Sequence, residues 1–404
     1  MTGNGTAHET AGRADGTVAG EVAPGWEPVR PAFEENFSVR GDLGAAVCVY
    51  RDGLPVVDLW GGTADTGSGR PYRHDTLQLI FSSTKGAVAL CAALLAERGE
   101  LDVDAPVAAY WPEFAAAGKA GIPVGWLLDH RAGLPAVDAH LALEDILTWD
   151  PIVGALADQA PLWEPGTAHG YHALTFGWLV GEVVRRVSGR SVGQYFRDEI
   201  ARPLGLRFWI GLPEEEEDRV APLTMSLDHL AGMDPAALER LAQQFAPGGL
   251  ATRALFLEGA FGSLSPGDGP FNRRDVHAAE VPAANGITDA RSLARMYAAT
   301  IGEVDGVRLL DPATLARLTT VRSDGPDLVL GVDSRFGLGM MLDGEFSPFL
   351  GAGGFGHYGA GGSVGFAHPA SGVAFGYVMD QMRVGLNGDD RTLALLDAVR
   401  SCLG

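Results

Sequence analysis

The chain has 404 residues, of which 46% are hydrophobic and 20% charged, and its formal net charge is -21 at pH 7. This composition describes a soluble globular protein with enough apolar residues for one large core or two ordinary ones. It excludes nucleic acid as a partner, because phosphate contacts need a basic face, whereas acidic runs such as Glu214 to Glu217 form solvated surface.

Residues 1–22 are rich in Gly, Thr and Ala and read as a flexible leader, with the ordered fold expected from about Trp26. The leader has neither the basic n-region nor the apolar h-region of an export signal, so a cytoplasmic location is expected. No membrane partner is expected either, since the longest apolar run, AVALCAALLA at 87–96, is about half the roughly 20 residues a span requires. Residues 44–62, GAAVCVYRDGLPVVDLWGG, give two β-rich runs around the turn Arg51-Asp52-Gly53, a hairpin signal. A helix follows from about Thr84 to Arg98, with Gly99 as its C-terminal stop.

The middle of the chain carries apolar residues at helical spacing in VGWLLDHRAGL, LTFGWLVGEVVRRVSG, VGQYFRDEIARPLG and MDPAALERLAQQF. After a further helix in ITDARSLARMYAATIG, opened by Thr288 or Asp289, strands return: RFGLGMML, FGHYGAGG, SVGFAHP and VAFGYVMD, before a last helix near DDRTLALLDAVRS. Strands at both ends of a helical middle predict an α/β fold with an antiparallel sheet flanked by helices and an inserted all-α domain. The α/β part would comprise 23–105 and 285–404, and the mainly helical part 106–284, with 225–284 as a cap over the cleft.

Lys85 and Lys119 are the only lysines; every other basic residue is arginine. Lys85 stands three positions after Ser82 in FSSTKGAVAL, so the two meet on one helical face at a helix start, where free N–H groups also point outward. A lysine desolvated into its neutral form can take the proton of a serine hydroxyl, which arginine cannot do. Ser82 is therefore read as an activated nucleophile and Lys85 as its base.

Here the chain resembles the serine β-lactamase and penicillin-binding-protein superfamily, in its class C-like branch with family VIII carboxylesterases and acyltransferases. The likeness runs through FSSTKG, LDVDAPVAAYWPEF, WLLDHRAGLP, PGTAHGYHALTFGWLVGEVVRRVSG and FGHYGAGGSVGFAHP, in that order, and spans most of 26–402. It implies a β-lactamase/transpeptidase-like fold and makes Tyr171 the proton relay to the leaving group. It also places a third element on His357-Tyr358-Gly359, and an oxyanion hole on the backbone N–H groups of Ser82 and Ala360. Two departures bear on substrate: Ala173 stands where an asparagine is frequent, and His357 where a lysine is. Ala173 removes the amide that would contact a substrate acylamino group, and a neutral His357 is a poorer partner for a substrate carboxylate, so both disfavour β-lactams and D-alanyl peptides and favour neutral esters. Tyr358, bulky at its position, is expected to narrow the cleft.

The expected activity is hydrolysis of small carboxylic esters through an acyl-Ser82 intermediate, with no cofactor and no metal. A biosynthetic acyltransferase would use the same residues. A β-lactamase or D-aminopeptidase is a further alternative, and a non-catalytic sensor acylated once at Ser82 is the reading from another class. Ser363 sits in a G-x-S-x-G pattern, Gly361 to Gly365, but strand, turn and strand surround it rather than the strand-to-helix elbow, and no histidine follows His368. Gly351 to Gly356 has no following helix to make a phosphate loop. His130, His169 and His172 are read as structural, as are the cysteines Cys48, Cys91 and Cys402.

Overall fold

The computed structural model describes residues 18–232, 234–257, 259–262 and 269–404. The elements that position the site are strands β1 (Val18–Val22), β2 (Gly44–Arg51) and β3 (Leu54–Asp65), with helix α1 (Val29–Ser38) between the first two and α2 (Thr84–Glu97) after the third. Helices α3 (Asp150–Asp158), α4 (Thr175–Ser188) and α5 (Ala290–Ile301) follow. Strands β4 (Ser323–Pro326), β5 (Asp333–Phe336), β6 (Met341–Leu342), β7 (Phe355–Tyr358), β8 (Val364–His368) and β9 (Val373–Met379) precede the last helix, α6 (Asp390–Leu403).

These nine strands run through a ten-stranded antiparallel sheet in the order β1-β3-β2-β9-β8-β7-β6-β5-β4, with the short strand Arg70–Pro71 also paired to β3, so the N-terminal hairpin and the C-terminal strands meet where β2 pairs with β9. The hairpin turn has positive φ at Asp52 (49°) and Gly53 (82°), which matches the twist of the flanking strands. Helix α5 lies on the face of the sheet to which Gly376 and Gly365 belong. A Cβ on Gly376 would stand 2.4 Å from Ala290 O, and one on Gly365 would stand 2.7 Å from Leu293 and Tyr297. Missing side chains thus let this helix approach the strands. Asp289 caps it, accepting from the N–H of Ser292 at 2.7 Å.

Helix α2 is buried from Thr84 to Leu95, apolar all round, as befits a helix inside a core rather than on it. Gly99, at φ 73°, follows its last turn.

Three expectations need correction. Residues 18–22, assigned to the leader, form an edge strand on β3, with Gly20 opposite Leu59. Gly20 has φ 106° and a Cβ there would lie 2.0 Å from Asp58 O, so the strand fits because a glycine interrupts it, and the same glycine hides the pattern. RFGLGMML is two short strands rather than one, since Gly339 turns at φ 79° to pack on Ala89. In VGWLLDHRAGL the helix covers only Val124–Leu128, and His130 adopts φ 64°. The helix expected in MDPAALERLAQQF runs over Pro235–Gln244; its Met233 lies outside the described residues.

Candidate active site

The site begins at a strained turn. Phe81 has φ 44°, an outlier for a bulky residue, and lifts Ser82 out of the core onto a short 3-10 turn, Phe81–Ser83, just before α2. The strain is held from both sides. The hydroxyl of Thr84 donates to Phe81 O at 2.5 Å and accepts from Gly286 N at 2.9 Å, while Ile80 N donates to Gly286 O at 2.9 Å. The neighbouring hydroxyl, Ser83 Oγ, donates to His357 O at 3.2 Å and ties the turn to β7.

Lys85 is fully buried on the first turn of α2. Its Nζ is 2.9 Å from Ser82 Oγ, 2.7 Å from Ala173 O and 3.1 Å from Ala283 O. The Tyr171 and Phe176 ring centres lie 4.8 and 5.9 Å away. No carboxylate is among these partners, and burial holds the Lys85 amine well below the usual lysine range. The partner count suits a neutral amine: two N–H bonds go to two carbonyls, and the lone pair faces the hydroxyl of Ser82.

Tyr171 is hydrogen-bonded to Ser82 through its hydroxyl. It is 2% exposed, and its ring stacks on Phe336 with centres 6.1 Å apart. Burial pushes its phenol upward, so the hydroxyl keeps its proton at neutral pH.

His357 is buried, with its ring centre 6.0 Å from that of Tyr171. Its Nδ1 is 2.6 Å from Tyr358 O, an acceptor only, so Nδ1 carries the hydrogen and Nε2 the lone pair. Nε2 has no hydrogen-bond partner among the described residues. Burial, and then the nearby Lys85, hold this imidazole well below its ordinary range and hence uncharged.

Residues 33–399 match the Beta-lactamase family. The chain belongs to that family. It is 38% identical over 400 residues to Esterase/beta-lactamase LipL of Mycobacterium tuberculosis (strain ATCC 25618 / H37Rv), an alignment covering 95% of this chain and 88% of that protein. Among solved structures it is similar to a family VIII carboxylesterase, with 37% identity and TM-score 0.84 over 96% of this chain and 100% of the other. It is equally similar to a penicillin-binding protein homolog from Caulobacter crescentus, with 38% identity and TM-score 0.83 over the same shares.

Other expected site residues fall differently within this Beta-lactamase family chain. Ala173 is buried and faces Lys85 through its carbonyl. Tyr358 does not narrow the cleft: successive strand residues alternate faces, and its ring stacks on Phe349 with centres 5.4 Å apart while its hydroxyl bonds to Pro348 O. Gly359 is a close-approach position, where a Cβ would stand 2.2 Å from Ile80 O. Ala360 opens the 3-10 turn Ala360–Gly362 directly after it. The fully buried Arg391 fixes that turn, donating to Gly361 O at 2.7 Å while its charge is held by Asp42 and Asp389.

Ser363 is fully buried and followed by β8; its Oγ donates to Ile80 O at 2.8 Å and lies 3.2 Å from Ser83 Oγ. It buttresses the turn before the nucleophile. His172 accepts from Leu134 N at 3.0 Å and donates to Gly170 O at 2.7 Å, a satisfied structural histidine. His130 Nδ1 accepts from His172 N at 3.1 Å, and His169 Nε2 is 3.0 Å from Ser334 Oγ. Among the described residues no three His, Cys, Asp or Glu side chains group as metal ligands. Cys48 and Cys91 are buried and Cys402 partly so, and burial raises all three thiols.

Four contributors escaped the sequence: Ala283 O, Ser83, Arg391 and Asp327, which accepts from Tyr171 N at 3.0 Å. All four act through or upon backbone atoms distant in the chain, where residue type leaves no periodic trace.

Proposed function

We propose that this chain hydrolyses small carboxylic esters through an acyl-Ser82 intermediate. The observation that carries the reading is the meeting of Lys85 Nζ and the Tyr171 hydroxyl on one serine oxygen, in a pocket that keeps the amine neutral and the phenol protonated. The names of its relatives, an esterase/beta-lactamase and a family VIII carboxylesterase, support the same class.

In this reading Ser82 Oγ attacks the ester carbonyl carbon while its proton passes to the Lys85 lone pair. The backbone N–H groups of Ser82 and Ala360 receive the developing oxyanion, the second held in place through Arg391 and Gly361. As the C–O bond breaks, Tyr171 gives its proton to the departing alkoxide and is reprotonated from Lys85. Water then attacks acyl-Ser82, surrenders its proton to the same pair, and releases the acid with Ser82 restored. An alcohol or amine in place of water would make the same residues an acyltransferase. The described residues of 225–284 are read as a cap on the site: Phe271 packs on Phe81, one position before the nucleophile, at 4.8 Å, and on Phe261 at 5.3 Å, while 233, 258 and 263–268 lie outside the described residues.

Substrate charge follows from His357. An uncharged imidazole offering only a lone pair gives no cation to a carboxylate, and the net charge of -21 adds none by long-range steering. Neutral esters with short or medium acyl groups are therefore the expected substrates. The test is kcat/KM for p-nitrophenyl butyrate against nitrocefin and a D-alanyl-D-alanine peptide. A higher value for either carboxylate-bearing substrate would contradict the reading.

A further inference from the structure

We infer that Asp327 is a positioning residue for Tyr171, acting through its backbone; this rests on the relay role proposed for that tyrosine. Asp327 lies in the connection between β4 and β5, 156 positions from Tyr171, and its side chain is fully buried. Its Oδ1 accepts from Val329 N and Leu330 N, both at 2.9 Å, and from Tyr171 N at 3.0 Å. Its Oδ2 accepts from Ser334 Oγ at 2.9 Å, and that hydroxyl in turn meets His169.

Gly170 to His172 lies outside any helix or strand, so nothing periodic sets the direction of the Tyr171 side chain. Its backbone is held from two sides instead. Gly170 N donates to His130 O and Leu328 N to His169 O, both at 3.1 Å, and His172 N donates to His130 Nδ1 at the same distance. The central N–H, that of Tyr171, goes to the carboxylate. Hydrogen bonds to a charged acceptor are the strong ones, and the other bonds of Asp327 hold that acceptor rigid. Asp327 therefore sets where the phenol points, and a shift of a fraction of an ångström there separates it from the departing oxygen.

The relay matters in proportion to how poor the leaving group is: p-nitrophenolate leaves unaided, whereas ethoxide needs a proton. The experiment measures kcat/KM, which reports acylation, for p-nitrophenyl butyrate and ethyl butyrate with the wild type, Asp327→Asn, Tyr171→Phe and the double variant. Asp327→Asn is expected to lose about ten-fold on ethyl butyrate and little on the activated ester, with no further loss when added to Tyr171→Phe. If Tyr171→Phe discriminates between the esters but Asp327→Asn lowers both equally, or multiplies the loss in the double variant, Asp327 merely supports the fold and the inference is wrong. If Tyr171→Phe itself lowers both equally, the relay reading fails and takes the inference with it. Should Asp327→Asn not fold, Ser334→Ala decides: a loss confined to ethyl butyrate supports the inference, and an equal loss on both esters overturns it.

Discussion

Lys85 and Lys119, the only two lysines of the chain, are both fully buried and both held by backbone carbonyls, but only Lys85 also meets a hydroxyl. Lys119 Nζ donates to Ala116 O, Ala157 O and Gln159 O at 3.0, 2.9 and 2.5 Å; three acceptors demand three N–H bonds and hence an ammonium. Lys85 has two carbonyls and Ser82, a group that can donate as well as accept. One lysine is thus built to stay charged and staple the end of α3. The other is built to lose its proton.

The pair separates by mutation. Lys85→Arg should lose esterase activity nearly as fully as Lys85→Ala, by about 10²-fold to 10⁴-fold, because guanidinium cannot accept the proton. Lys119→Met should keep kcat while lowering stability by about 1–3 kcal/mol, since it orphans three carbonyls. Steady-state rates beside thermal melts check both, and a Lys85→Arg enzyme with near-normal turnover would remove Lys85 as base.

The pH dependence carries a definite sign. Lys85 must be neutral to work and its amine is held well below 10.5, so kcat/KM should rise through that lowered pKa and level off far below the ordinary lysine range. The linked stability effect runs the same way. Below the unfolded pKa the unfolded chain binds a proton that folded Lys85 refuses, so the wild type should lose stability relative to Lys85→Met as pH falls from about 10.5 towards the folded pKa. A difference between the two proteins that is flat across that window would contradict the buried neutral amine.

The buried histidines should oppose folding as the pH falls, against buried carboxylates such as Asp129 and Asp380, which burial raises and which act with the opposite sign. His130, His172 and His357 are buried and held below their ordinary pKa of 6.5, His172 at about 4, chiefly by burial. Their unfolded forms take up protons first, so their part of the stability is complete above pH 6.5 and falls as pH drops through the window down to each folded pKa. Each histidine contributes about 1.4 kcal/mol per pH unit across its own window. Denaturant melts at pH 7, 6 and 5 of the wild type beside His172→Gln should show the wild type losing stability relative to the variant as pH falls, and a difference flat across that window would refute it.

Two serines compete for the nucleophile by motif, and the structure gives them different work. Ser82→Ala should abolish turnover. Ser363→Ala should retain most of it and cost about 1 kcal/mol, the worth of its hydrogen bond to Ile80 O. Survival of activity in Ser82→Ala with loss in Ser363→Ala would reverse the assignment.

How far the sequence announced this site depends on what each residue contributes. Ser82 and Lys85 were legible because their spacing follows the helical turn and because lysine is scarce, and the sheet because its strands are runs rich in β-branched and aromatic residues set off by glycine turns. Tyr358 was misread because its neighbour His357 enters the site, and a strand sends adjacent side chains to opposite faces. Ala283 was invisible, since it offers Lys85 only a main-chain carbonyl from 198 positions away, and a carbonyl is common to every residue type. Asp327 lies in SDGPDLVLG, which matches none of the motifs; only the fold brings Tyr171 N to it.

The central claim, that an acyl group passes through Ser82, is tested most directly by rapid acid quenching. The enzyme is mixed with excess p-nitrophenyl butyrate, stopped during steady turnover and digested for peptide mass analysis. The account predicts one butyryl group on the peptide containing Ser82, absent from Ser82→Ala and turning over in the wild type when the ester is exhausted. Sustained p-nitrophenol release with the acyl group on another residue, or an acyl-Ser82 that never hydrolyses, would contradict it.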